Sequence, residues 1–160
     1  MSTIVRSVDI AAPPERVWDL LENVRRLPEY SDSTEEVRDA PERLTEVGQE
    51  YLQVGRLLGM KLTSRWRVTE LEPGRLLGNV GTLAPGVRYR LTPRLEPLPQ
   101  GGTRLWIEID YTLPGGRLGR LAAKAGAESR AGREAQEVLD GIRATAESAA
   151  IRRSPPSRAS

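Results

Sequence analysis

VDIAAPPERVWDLLENVRRLPEY, Val8 to Tyr30, is the stretch whose reading decides the fold. Ile4, Val8 and Ile10 alternate with Ser7 and Asp9 as in a half-buried strand. Pro13 and Pro14 end that strand and place a proline in the first helical turn, where its missing N–H would have had no partner. Val17, Trp18, Leu20 and Leu21 then recur at helical spacing, and Asn23 is placed to cap a second short helix that ends near Pro28. The spacing therefore predicts one strand followed by two short helices, an uncommon opening that points to a fold built around a cavity.

Outward from Tyr30 the helical period gives way to strand-like runs separated by Gly and Pro. Strands are predicted near Thr34–Arg38, Gln49–Arg56, Lys61–Leu71, Arg75–Gly81, Val87–Leu95 and Thr103–Thr112. Turns fall at Val47-Gly48, Leu58-Gly59, Pro73-Gly74, Pro85-Gly86 and the PLPQGG run from Pro97. Nothing of crossover length separates these runs, so neighbouring strands are expected to pair antiparallel. From Gly116 to about Ala149 an alanine-rich segment has helical period and reads as one long C-terminal helix. At about 100° per residue, Leu121, Glu128, Gly132, Leu139 and Ala146 share one meridian, flanked by Ala125, Ala135 and Ile142. The division expected is one domain over residues 1–150 and a disordered tail over 151–160, where Pro, Ser and Arg lack any period.

Composition narrows the chemistry. The chain has 160 residues, 38% hydrophobic and 29% charged, which suits one globular domain. No apolar run approaches the roughly 20 residues that span a bilayer, and no secretory leader is legible, so the expected compartment is the cytoplasm and no integral membrane contact is expected. With neither Cys nor His, the chain has no thiol nucleophile, no disulfide and none of the commonest transition-metal ligands. No metal and no cofactor are therefore expected. Net charge is +2, yet residues 1–50 carry 6 basic and 12 acidic side chains, leaving +8 for the remainder.

The order strand, two short helices, six strands and a final helix is that of the α+β helix-grip fold, a seven-stranded curved antiparallel sheet around a long C-terminal helix. The chain resembles the START/SRPBCC superfamily, also called Bet v 1-like, nearest to its bacterial polyketide cyclase/dehydrase-type members. The pieces that carry the resemblance are VDIAAPPERVWDLL, LPEY ending at Tyr30, VGQEY at Val47–Tyr51, SRWRVTELEPGRLL at Ser64–Leu77, and the final helix. The resemblance implies carriage of a small hydrophobic, lipid- or polyketide-like ligand, or else cyclase/dehydratase (aromatase-type) action on such a ligand. Two features depart from it: the chain has no Phe, and small residues line the final helix.

Strand parity assigns an inward set: Tyr51 and Gln53; Leu62, Ser64, Trp66 and Val68; Val87, Tyr89 and Leu91; Leu105, Ile107, Ile109 and Tyr111. Ligand contacts are expected from Tyr51, Gln53, Ser64, Trp66, Asn79, Tyr89, Ile107 and Tyr111 on the sheet, and from Ala125, Glu128 and Gly132 on the helix. Glu128 either enters the cavity or, if the helix swings outward, reaches solvent; were the protein an enzyme, Glu128 would be the base and Tyr89 or Tyr111 would steady an enolate oxygen. Leu57, Leu58 and Met60 at one turn, with Leu83 and Pro85 at another, are expected to form an apolar rim, or a contact for a weak dimer of an otherwise monomeric protein. On the outer face, pairing of Arg90 with Glu108 and Arg88 with Asp110 is expected to neutralise the arginines, so no nucleic-acid partner is expected.

Overall fold

In the computed structural model, which describes residues 2–57, 59–84, 87–112, 115–117, 120 and 126–153, the chain forms one seven-stranded sheet and a set of helices. The strands are β1 (Ser2–Ile10), β2 (Thr34–Arg38), β3 (Glu50–Leu57), β4 (Met60–Glu72), β5 (Leu76–Ala84), β6 (Val87–Pro97) and β7 (Thr103–Thr112). Between β1 and β2 lie α1 (Pro14–Glu22), a single 3₁₀ turn (Val24–Arg26) and α2 (Leu27–Tyr30). The last helix, α3, spans Ala127–Arg153. Every pairing is antiparallel, in the order β1-β7-β6-β5-β4-β3-β2, which is the helix-grip arrangement.

The local sequence explains the opening run. Pro14 is the first residue of α1, and the helix buries Val17, Trp18, Leu20 and Leu21 on one face. Asn23 caps neither helix through its side chain, contrary to the sequence expectation; its backbone N–H donates to Asp19 O and closes α1. Pro28 itself sits in the first turn of α2, where proline is well tolerated, and α2 ends two residues on, at Tyr30.

The expected unbroken helix from Gly116 also needs correction. Arg120 N donates to Gly116 O at 3.2 Å, but Gly126 has φ +74°, a left-handed conformation that no residue inside a right-handed helix can hold. The helical run is therefore broken at Gly126, and Arg130 N donating to Gly126 O at 3.0 Å opens α3. Its end at Arg153 lies past the expected boundary at residue 150, while residues 154–160 fall outside the described ones.

The core confirms the helix face: Ala135, Leu139, Ile142 and Ala146 are buried, with Leu139 and Ala146 wholly inaccessible. They share one hydrophobic core with Trp18, Leu20, Leu105 and Ile107 of α1 and β7. Complete burial of a side chain such as Leu139 is worth roughly 1.5–3 kcal/mol. At Gly141 the packing is tightest, since an added Cβ would stand 2.2 Å from the Tyr30 carbonyl oxygen. Only glycine lets α3 cross α2 this closely.

The β6–β7 hairpin differs from the expected register. Arg90 faces Asp110, Arg88 faces Thr112, and Glu108 faces Thr92, a shift of two residues. The reason is a longer loop: Pro97 pairs with Thr103, and Leu98–Gly102 close on themselves through Leu98 N to Gly102 O (2.8 Å) and Gly101 N to Leu98 O (3.1 Å), with Gly101 at φ +87°. Asp110 accepts a hydrogen bond from Thr3 Oγ1 at 2.6 Å. The expected pairs Arg90–Glu108 and Arg88–Asp110 are thus not formed: Arg90 faces Asp110 instead and Arg88 faces no acid. Ion pairs elsewhere on this face, among the described residues, include Asp9 with Arg104 and Glu50 with Arg65.

Candidate ligand cavity

A cavity of about 240 Å³ lies between the inner face of β3–β7 and the helices α2 and α3. It falls short of the roughly 300 Å³ at which typical small-molecule sites begin. Parity builds most of the wall: Tyr51, Gln53, Leu62, Ser64, Trp66, Tyr89, Leu91, Ile107 and Ile109 all line it. Leu27 of α2 and Ser31 and Ser33 of the following loop complete one side, and Ala131, Glu134, Ala135 and Val138 of α3 complete the other.

Trp66 is the largest wall element. Its indole lies flat over Gly81, where an added Cβ would come within 2.7 Å of three ring atoms, and its Nε1 donates to Ser64 Oγ at 2.9 Å. Ser64 Oγ in turn donates to the Gln53 carbonyl at 3.3 Å. Gln53 Nε2 donates to Thr34 Oγ1 at 2.6 Å, which is bonded to Ser31 Oγ at 2.9 Å. One end of an otherwise apolar cavity is therefore polar, with its donors and acceptors already organised. Gly55 allows this end to form, because β3 passes so close to the loop that a Cβ would stand 2.5 Å from Ser33 O. Replacing Gly81 with Ala is expected to push the indole into the cavity and break its bond to Ser64. Overpacking of this kind costs about 1–3 kcal/mol. A thermal melt and a ligand titration should register it together, as a lower Tm and a weaker affinity.

Glu134 stands at the mouth, in the wall yet open to solvent. Partial desolvation raises its pKa above the ordinary carboxylate value, Arg130 opposes the rise and Glu137 adds to it. Burial raises the Tyr89 phenol as well, and the Glu134 charge adds to that rise. Tyr111 stacks behind Tyr89, ring centroids 6.0 Å apart at 29°, and is itself buried. Burial pushes Tyr30 and Tyr51 far above the usual phenol range, so neither supplies a phenolate.

Of the residues expected at the ligand, Tyr51, Gln53, Ser64, Trp66, Tyr89 and Ile107 line the cavity, as does Leu83 of the expected rim. Three do not. Tyr111 is shut off behind Tyr89; Asn79 is buried beside the wall; Gly132 faces β1, where a Cβ would meet the Arg6 guanidinium at 2.7 Å. Met60 is 64% exposed and does not line the cavity. Ala125, Leu58, Pro85 and the side chains of Glu128 and Leu57 lie outside the described residues. Glu134 is the functional candidate that the sequence reading missed. Counting about 100° per residue, it sits some 140° from the Leu139 meridian, while Ala131 and Val138 sit near 90° on the same side. The core meridian packs toward β1, and the cavity opens along this flank.

The whole chain except its end matches a family described as polyketide cyclase / dehydrase and lipid transport, over residues 1–147. The chain belongs to this family. An uncharacterised protein of Mycobacterium tuberculosis is 30% identical over 78% of this chain and 88% of its own length. The Zhui aromatase/cyclase of a Streptomyces species superposes with TM-score 0.77 at 22% identity, covering 91% of this chain and 93% of its own. A START superfamily protein of Mycobacterium smegmatis superposes with TM-score 0.70 at 11% identity, covering 91% and 97%. At these identities the two structures are similar to this chain in fold. No described helix is long and apolar enough to cross a membrane.

Proposed function

We propose that this chain binds and carries one small, mostly apolar molecule in the cavity between β3–β7 and α3. The observation that carries this reading is the wall itself: Trp66, Leu91, Ile107, Ile109 and Val138 enclose space that none of them fills. Empty apolar space costs stability through lost dispersion contacts, so a molecule that fills it is held by the same forces. The Ser31, Ser33, Gln53 and Ser64 end supplies orientation through a few polar contacts. A cavity near 240 Å³ suits one or two fused rings or a short chain, with any longer ligand leaving past Glu134. Calorimetric titration with indene, a compact hydrocarbon, tests this: saturable binding at one site is expected, and none would refute it.

A pH dependence follows from Glu134. Its pKa is already raised by partial burial, and a neutral ligand displacing water from the mouth raises it further. Binding is therefore coupled to proton uptake. Affinity for indene should rise as pH falls from neutral toward the Glu134 range, then level off once the carboxyl is protonated in both states. In Glu134→Gln the curve should be flat across the same range.

A second reading has its own support in the proximity of Glu134 and Tyr89. In a cyclase or dehydratase acting on a polyketide-like substrate, Glu134 would remove a proton alpha to a carbonyl, and the Tyr89 hydroxyl would steady the enolate oxygen. A base with a raised pKa suits that role. Here Glu134→Gln should abolish turnover of a polyketide-like substrate, with much less effect on binding. Turnover that survives the substitution would leave carriage alone.

A further inference from the structure

Among the described residues, one buried side-chain polar atom has no hydrogen-bond partner: Oδ1 of Asn79. Asn79 is only 7% exposed, and its Nδ2 makes one local bond, donating to Leu77 O at 3.2 Å. By register it lies between Val68 on β4 and Leu91 on β6, both apolar, on the inner face of the sheet. Two residues along β5 is Gly81, covered by the Trp66 indole, whose only N–H is committed to Ser64. Among the described residues, no donor lies within hydrogen-bond reach of the orphan oxygen. A buried acceptor left unmade is costly, and a leucine here would avoid the cost while packing on Val68 and Leu91.

Leu91, the cross-strand neighbour of Asn79 on β6, and Trp66, which covers Gly81 two residues along β5, are both wall residues of the cavity. We propose that Asn79 is the specificity-determining residue of the cavity, accepting a hydrogen bond from an N–H or O–H group on the buried end of the ligand. The ligand class is then a compact, mostly apolar molecule carrying one donor, entering donor-first between Trp66 and Leu91. This rests on the binding role proposed above and adds to it which chemical group the site selects. Around Ser31 and Gln53, by contrast, the hydroxyls and the Gln53 N–H already bond one another.

The test compares indole with indene, bicyclic molecules of nearly equal shape that differ in an N–H against a CH₂. Calorimetry on the wild-type protein should show indole binding roughly three- to tenfold tighter, the value of one net hydrogen bond. In Asn79→Leu that preference should vanish, and the variant should melt above the wild type. Equal affinities of the wild-type protein for the two probes would overturn the assignment without any variant, while leaving the container reading intact. A preference that persists in folded Asn79→Leu would also overturn it, by placing the donor's partner elsewhere, such as Gln53 or Ser64. If neither probe binds, the container reading falls, and this assignment with it.

Discussion

Gly141→Ala is expected to destabilise the protein by about 1–3 kcal/mol, although the same change in an exposed helix would stabilise it by close to 1 kcal/mol. The sign reverses because of what the new methyl meets. At 2.2 Å from the Tyr30 carbonyl oxygen it cannot be accommodated by a side-chain rotation, since both atoms belong to helix backbones or their first substituents. Either α3 moves off α2 or α2 shifts toward β2, and each loosens the packing of Tyr30 and Leu27 beside the cavity. For a chain of this length the melting temperature should fall by roughly 3–10 °C. Gly132→Ala is the control on the same helix: the nearest atoms its methyl would meet all belong to the end of the Arg6 side chain, which can swing away. That variant should be neutral or slightly stabilised. Paired thermal melts of the two variants check both signs.

Ala135→Phe should remove ligand uptake almost completely. Ala135 is buried and lines the cavity from α3, while Trp66, Leu91 and Ile107 line it from the sheet. A benzyl group there occupies the space a bicyclic ligand would need, so affinity for indene should drop on the order of 100-fold, equivalent to about 2.8 kcal/mol. Because the ring fills an existing void, stability should be kept or gain about 0.5–2 kcal/mol. Loss of binding together with unchanged or improved melting is the pattern that separates a filled container from a damaged fold. A folded Ala135→Phe that still takes up indene with wild-type affinity would locate the binding site elsewhere.

Much of this molecule was legible in its sequence, and what was missed shares a physical character. Alternation placed all seven strands within a few residues and put Tyr51, Ser64, Trp66, Tyr89 and Ile107 on the inner face, because burial on one side of a sheet imposes a period of two. Helical periodicity likewise found Ala135, Leu139, Ile142 and Ala146. The β6–β7 register was not legible, since PLPQGG can close a three- or a five-residue loop, and both of its glycines allow the left-handed turn that decides between them. Glu134 was hidden for another reason. Periodicity reports the face that packs, whereas the cavity opens on the flank that does not, so a charged residue far from the buried meridian gave no signal. Gly141 was also silent, because a glycine needed for helix contact looks in sequence like one arising from composition. Asn79 was noticed for its polarity alone; only the register, with Val68 and Leu91 on either side, reveals that its oxygen has no partner.

The measurement that bears most directly on the central claim is a crystal structure of the protein soaked with indole. Density for one bicyclic ring is predicted inside the cavity, between the Trp66 indole and the Ala131–Val138 flank of α3, with its N–H directed toward Asn79. A structure in which Trp66 packs directly on Ala135, leaving no space between sheet and helix and no probe there, would contradict the account.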